Sequence, residues 1–356
     1  FDPPPLAQTL DDISGDIETS IAGADARLPR SALAGMAYTK GGVARELQFE
    51  IRNVYKQLFP QTADWEALVY QGELKNVYPK LASAATFAIT LVGTNGFSAP
   101  AGTIVQRSDG AQFSLNADAV IADSAATAVV TALTPGSAGN TPSGTTLSFS
   151  APVPSIQSKV TAGDAVTTGF DAEKIDAFRG RVIRAWQKPA QGGDLDDYID
   201  YATEVPGVTQ AWSFKNWMGV GTIGVTFVED DNPAGIIPIA GDVAAVQAHM
   251  DDERKVTAQV FVFAPTPLNL NPTIHIAPDT AANRAAVTAN LNALINAEAI
   301  PGGSVSASGV FYYSRIEEAV QTSPGITDSE VSVPAPGTNV AIAAAQLLQL
   351  GAVTWV

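Results

Sequence analysis

Acid–base chemistry near neutral pH most often starts from histidine, and this chain of 356 residues has two. His249 sits beside Met250 in a helical pattern, and His275 sits inside a strand pattern. Neither has a second ligand at metal-binding spacing, so both read as structural. Gly219-Val220-Gly221-Thr222-Ile223-Gly224 matches the pattern G-x-G-x-x-G. A dinucleotide site needs a helix after those glycines, because the helix N-terminus holds the pyrophosphate. Val225-Thr226-Phe227-Val228 follows instead, which is a strand pattern, so a hairpin turn is expected. Acidic residues cluster at Asp196-Asp197, Glu229-Asp230-Asp231 and Asp251-Asp252-Glu253. Paired carboxylates can serve a glycosidase or bind calcium. These read as a helix start, a polar surface loop and a solvated helix end. No residue is assigned a catalytic, cofactor-binding or metal role, and the chain is not expected to be an enzyme.

The elements that would carry any function centre on residues 170–228. A helix is expected over Asp171–Lys188, with Ile175, Phe178, Val182, Ala185 and Trp186 on one stripe. Pro189 should end it. Gly192-Gly193 then frees the chain. Asp194 suits an N-cap, with Asp197 placed to reach back in a capping box. Pro206-Gly207 stops the second helix. A strand follows in which Val208, Trp212 and Phe214 are expected to share a face. Aromatic residues and arginines are favoured at protein interfaces. On that ground Arg181, Arg184, Tyr201 and Trp217 are the interface candidates here.

The patterning implies a multidomain α+β chain in four parts. Residues 1–80 read as helical, with apolar stripes over Leu6–Ala22 and Arg30–Phe59. Gly41-Gly42 is expected to kink the second of these. Thr62 is expected to cap a third helix. Leu47 and Ile51, on the long stripe, are candidates for a partner surface. Charges nearly vanish over residues 81–165, and turn signals such as Asn95-Gly96 and Asp109-Gly110 suggest a small antiparallel sandwich or barrel. Pro152–Ile156 reads as its exit linker. Residues 166–265 and 266–356 read as two α+β domains. Asp328–Val333 is expected as a strand, and the uncharged stretch Val340–Val356 as buried core. The segment Tyr198–Thr209 is echoed by Ile316–Thr327. In each, a helix stops at Pro-Gly and a strand begins.

Composition narrows the partners. The net charge is −16, from 20 basic and 36 acidic residues, which repels phosphate backbones and argues against nucleic acid. The chain has no cysteine, so disulfides and thiolate sites are excluded. This fits a reducing cytoplasm. Phe1-Asp2-Pro3-Pro4-Pro5 has no leader pattern, and Val340–Val356 is shorter than the ~20 residues a membrane span needs.

Several segments, in order, resemble the baseplate J-like family of contractile phage tails, the J-type wedge proteins of Mu-like and P2-like phages. They are Leu58-Phe59-Pro60-Gln61-Thr62-Ala63, with Gln61 where the family usually has Asp, and Phe178-Arg179-Gly180-Arg181-Val182. Gly192-Gly193-Asp194 and Glu204-Val205-Pro206-Gly207-Val208 follow, and the resemblance extends to Gly351-Ala352-Val353-Thr354-Trp355. It implies a structural wedge subunit that joins wedges into a ring around the hub and passes on the trigger for sheath contraction. Implied partners are copies of itself, in two poses per wedge within a sixfold ring, and smaller wedge proteins bundled with the N-terminal helices. Sheath-proximal and hub or spike proteins complete the set, with neither nucleic acid nor membrane. The implied location is the virion tail baseplate, assembled in the host bacterial cytoplasm. No cofactor is implied. A reading from another class is an acidic extracellular carbohydrate-active enzyme or carbohydrate-binding protein.

Overall fold

The computed structural model describes residues 2–188, 192–230, 232, 235–303 and 309–356. The architecture is α+β and multidomain. It divides into two compact units, residues 1–79 with 174–189, and residues 80–173 with 190–356.

The first unit is helical: α1 (Leu6–Ser20), α2 (Ala32–Gln57), α3 (Trp65–Glu73) and α4 (Ile175–Gln187). Ser31 caps α2 by accepting from the Ala34 amide. Gly41-Gly42 does not interrupt the helix, which runs unbroken through both. Gly41 serves close packing instead. A Cβ there would lie 2.5 Å from Leu10 Cδ2 on α1. Thr62 is not the cap of α3. Its hydroxyl donates to the Lys56 carbonyl at 2.6 Å, and Asp64 occupies the N-cap position. The Gln57 amide clasps Asp64 from both sides, at 2.6 and 2.7 Å.

α4 departs from expectation twice. It begins at Ile175 rather than Asp171, because the Asp171 carboxylate accepts from both the amide and the hydroxyl of Ser137 at 2.8 Å. It also packs in the N-terminal unit instead of opening the 166–265 layer, with Phe178 and Val182 buried against Ala63 and Leu68. Burial of that stripe drives the choice, since each fully buried side chain of this size contributes ~1.5–3 kcal/mol. Pro189, expected to end the helix, lies outside the described residues.

In the second unit, β1 (Thr86–Val92), β2 (Ser98–Ala99), β3 (Ile104–Arg107) and β4 (Gln112–Leu115) come first. β5 (Ala119–Val120), β6 (Ala125–Ala132), β7 (Thr146–Phe149) and β8 (Lys159–Thr167) follow. β1-β6-β4-β3-β7-β8 close an antiparallel barrel, and β2 pairs with β5. Phe87, Ile89 and Leu91 alternate inward along β1 and meet Val130 and Phe113. Residues 152–156 are not an exit linker. They turn the chain back so that β8 pairs with β1 and removes the last open edge.

The next layer holds α5 (Leu195–Glu204), β9 (Gln210–Lys215), β10 (Thr222–Val228), α6 (Ala240–Glu253) and β11 (Gln259–Phe263). The capping box at Asp194 and Asp197 forms as expected. β9 and β10 make an antiparallel hairpin, so a strand does follow the glycine pattern. α6 then brings β11 parallel to β10. Val208 and Trp212 do not share a face. Val208 packs with Tyr198, Phe227 and Met250, while Trp212 packs into the C-terminal core. Val208 lies before the regular strand begins, so strict alternation does not link the two.

The last layer contains β12 (Thr266–Leu270), β13 (Thr273–Ala277), α7 (Ala281–Glu298), β14 (Val310–Phe311) and α8 (Tyr313–Gln321). It ends with β15 (Asp328–Val333), β16 (Val340–Ala341), β17 (Gln346–Leu350) and β18 (Thr354–Trp355). β12 carries Pro267, so the sequence hid it. Among the described residues it pairs only with β17, which leaves an open side that tolerates a residue with no N–H. β13 lies between β15 and β18. The expected buried stretch 340–356 is buried only at Ile342, Leu347 and Leu348. Both Pro-Gly stops take the same form, with Gly207 at φ +89 and Gly325 at φ +85.

Candidate interaction surfaces

α2 has two apolar faces of unequal kind. The buried one is small: Ala34, Ala37 and Gly41, packed toward α1. The large side chains point out. Met36, Val43, Leu47, Ile51, Val54 and Leu58 recur every three, four or seven residues, so they share one stripe. Leu47 is 59% exposed and Ile51 56%. A stable helix ordinarily buries its large apolar side chains. Four cations flank this stripe, Lys40, Arg45, Arg52 and Lys56, against Glu46 and Glu50. Arg45 and Arg52 each lie 4.9 Å from the centre of the Phe49 ring.

The other candidates are partly committed to their own unit. Arg181 donates to the Tyr78 carbonyl at 2.6 Å and lies over the Phe178 ring. Arg184 is half-buried on the same helix. Tyr201 is half-buried and meets Tyr198 edge-on at 5.9 Å, and burial pushes its hydroxyl pKa up. Trp217 stacks on Phe263 at 4.5 Å and 10°, over Gly224, where a Cβ would meet the indole at 2.7 Å. The six candidates therefore do not form one site. Leu47 and Ile51 share a surface, Arg181 and Arg184 share a helix, and Tyr201 and Trp217 belong to separate packings.

Sequence reasoning missed Arg179, which donates to the carbonyl of Ala63 at 2.9 Å and also to that of Pro60, and so pins the turn between α2 and α3. It also missed Lys75, whose ammonium sits 4.5 Å from the centre of the half-exposed Trp186 ring. The signal for both was weak, because each pairs with residues remote in the chain.

The polar groups that might have done chemistry are held by structure. His249 Nε2 meets the Glu204 carboxylate at 2.9 Å, and His275 Nδ1 meets the Val356 carbonyl at 2.8 Å. Asp197 is the buried member of the capping box, and Asp251 pairs with Arg254 at 3.0 Å. Glu229 corrects the surface-loop reading of its cluster. It is 1% exposed, just past the end of β10, where its N–H donates to the Ile236 carbonyl at 3.0 Å. Burial first, and the Asp242 charge second, push its carboxyl up to about 7. Asp231 of the same cluster lies outside the described residues.

Family models match three consecutive stretches: the baseplate J-like protein barrel domain over residues 86–169, the central domain over 190–264 and the C-terminal domain over 270–356. The chain is 35% identical over 346 residues to baseplate protein gp47 of Escherichia phage Mu, covering 94% of each. The chain belongs to the baseplate J-like family. Mu-like prophage FluMu protein gp47 of Haemophilus influenzae is 31% identical over 84% of each chain. The putative protein JayE of Escherichia coli K12 is 32% identical, over 74% of this chain and 96% of its own.

The family's barrel-domain match takes in all of β1–β8, and its end at 169 follows the barrel's closing strand. The central-domain match begins after α4 and ends after β11, so it leaves α4 out, as the packing does. The outward stripe on α2 lies outside all three domain matches.

Proposed function

We propose that this chain is a structural baseplate subunit of a contractile phage tail or a related injection machine. The outward stripe of large apolar residues on α2 carries this reading, and kinship with baseplate proteins supports it. The stripe is a seat for helices of smaller wedge proteins. Copies of the chain, two per wedge in different poses, join wedges into a sixfold ring around the hub and relay the trigger for sheath contraction. Sheath-proximal and hub or spike proteins border that ring, and its place is the tail baseplate of the particle, assembled in the host cytoplasm. The working division is 1–80, 81–165, 166–265 and 266–356, with α4 assigned to the first part. Its work is holding and relaying, with no bonds made or broken.

The reading as a carbohydrate-active enzyme required acidic clusters converging on a cleft. Asp197 instead caps α5, Asp251 holds Arg254, and Glu229 faces inward. The test of the proposed reading is Leu47→Asp with Ile51→Asp. Both residues are exposed in the isolated chain, so its stability should change by under ~0.5 kcal/mol. Wedge assembly, followed by particle counts in electron micrographs, should fail. Normal particle yield from the double variant would sink the reading.

A further inference from the structure

Residues 190–356 are strongly acidic, with eighteen aspartates and glutamates against five lysines and arginines. Three of the five cations are arginines, and each holds a carboxylate: Arg254 with Asp251, Arg284 with Asp279 and Arg315 with Glu298. The other two are Lys215 and Lys255. Among the described residues neither forms an ion pair, despite the excess of acids. Both line one cavity of about 470 Å³ in the layer of α5, β9, β10, α6 and β11.

Two neighbouring turns build the mouth of that cavity. Lys215 ends β9 before the turn into β10, and Lys255 lies in the turn between α6 and β11. The turns adjoin, since Thr222 pairs with Gln259. The first is fixed from within: the Met218 N–H donates to Thr222 Oγ1 at 2.8 Å, and that hydroxyl donates to the Gly219 carbonyl at 2.7 Å. The second is held by Arg254, which donates to the Ala258 carbonyl at 2.7 Å. The Lys255 stem lies along Gly193, where a Cβ would stand 3.0 Å from its Cγ. Asp194, also on the wall, is spent as the cap of α5. The same two turns carry bare apolar side chains: Met218 is 69% exposed, Val220 97% and Val256 98%. Single exposed apolar residues are ordinary, but three gathered beside a cationic cavity mark a surface that a partner covers.

The chemistry of that partner follows from the surface. A lysine ammonium is a point charge suited to carboxylate or phosphate. The net charge of −16 repels nucleic acid. An anionic membrane would also meet Asp194 and the exposed Asp252 and Glu253, which repel it. A small free anion would leave both valines in water. A protein segment that carries carboxylates among apolar residues answers the lysines and covers the valines.

We propose that this cavity and its two turns seat an acidic, apolar-flanked segment of a neighbouring protein in the baseplate, an inference that rests on the baseplate reading above. Lys215 and Lys255 hold carboxylates of the segment, and Met218, Val220 and Val256 pack on its apolar flanks.

Carbodiimide cross-linking of purified tail particles, read by mass spectrometry, tests this on the assembled protein. Lys215 and Lys255 should give amide links to aspartate or glutamate of another chain, links that the free chain does not give. Lys215→Glu with Lys255→Glu should leave the free chain folded, because both residues are exposed. It should lower incorporation into particles by roughly tenfold or more, since carboxylates would then face carboxylates. Lysines shielded in the particle without a link to any protein carboxylate would put another anion in the cavity and overturn the proposal. Lysines that acetylate as fast in the particle as in the free chain overturn it too, as does full incorporation of the double variant. Particles that lack the chain altogether would instead overturn the baseplate reading, and this inference with it.

Discussion

Replacing Gly207 by alanine separates two costs that are usually confounded. Gly207 sits at φ +89, which an L side chain adopts at about 1–2 kcal/mol. It also lies against the ring of Phe170. A Cβ would stand 2.2, 2.4 and 2.5 Å from three ring carbons. Phe170 has little room to yield, since its amide donates to Ser83 Oγ at 3.0 Å and its carbonyl accepts from the Ser83 N–H at 2.9 Å. Overpacking of this kind costs about 1–3 kcal/mol, so Gly207→Ala should lose roughly 2–5 kcal/mol in all. Gly325 is the matched control. It has nearly the same angle, φ +85, but its Cβ would meet Asn283 Oδ1 at 2.8 Å, on a side chain whose Nδ2 donates to the carbonyls of Pro278 at 2.7 Å and Gly325 at 3.2 Å, so yielding there disturbs exposed hydrogen bonds and no ring packing. Gly325→Ala should lose the conformational part, about 1–2 kcal/mol, and at most about 1 kcal/mol more for the displaced amide. Urea unfolding of both variants, followed by tryptophan fluorescence and by hydrogen exchange in β9 and β15, measures each loss in its own layer. Equal losses would refute the reasoning, because the Pro-Gly stop alone would then set the cost and the Phe170 contact would be worth nothing.

Other expectations follow from the same contacts. Leu68→Ala empties the small core shared by α3 and α4, where Leu68 is fully buried, and should lower the stability of the helical unit by ~2–5 kcal/mol on thermal melting. Glu229 should make stability fall with alkalinity. Its folded pKa, about 7, lies above the ordinary glutamate value of 4.5, so its contribution is intact below pH 4.5 and is lost as pH rises through 7. The ceiling is ~3 kcal/mol at 1.36 kcal/mol per pH unit. Urea midpoints at pH 5 and pH 8 should therefore differ in the wild-type chain and converge in Glu229→Gln. If Glu229→Gln keeps the wild-type slope, the acid is not the group responsible.

Local chemistry in the sequence was enough for part of this protein. The capping box at Asp194 and Asp197 and both Pro-Gly stops need only neighbours within a few residues, and both form. Inward alternation along Phe87, Ile89 and Leu91 is likewise a property of the strand itself. The six interface candidates rested on residue type and stripe position, and what each one packs against depended on distant residues. Leu47 and Ile51 read like any apolar stripe, and only the packing of α1 on the small face of α2 turned them outward. Trp217 read as a surface aromatic until Phe263 and Gly224, remote in sequence, supplied its stacking partner and its floor.

Composition and turn chemistry determined that helices, a β-domain and α+β layers would follow in this order. Tertiary structure decided which of them touch. It sent α4 to the N-terminal helices, closed the barrel with a strand beyond the apparent linker, and buried Glu229 in a stretch whose charges read as surface. The physical reason is range. Caps, turns and alternation are settled by atoms a few bonds away. Burial depends on which distant surface arrives to exclude water, and no single segment carries that information.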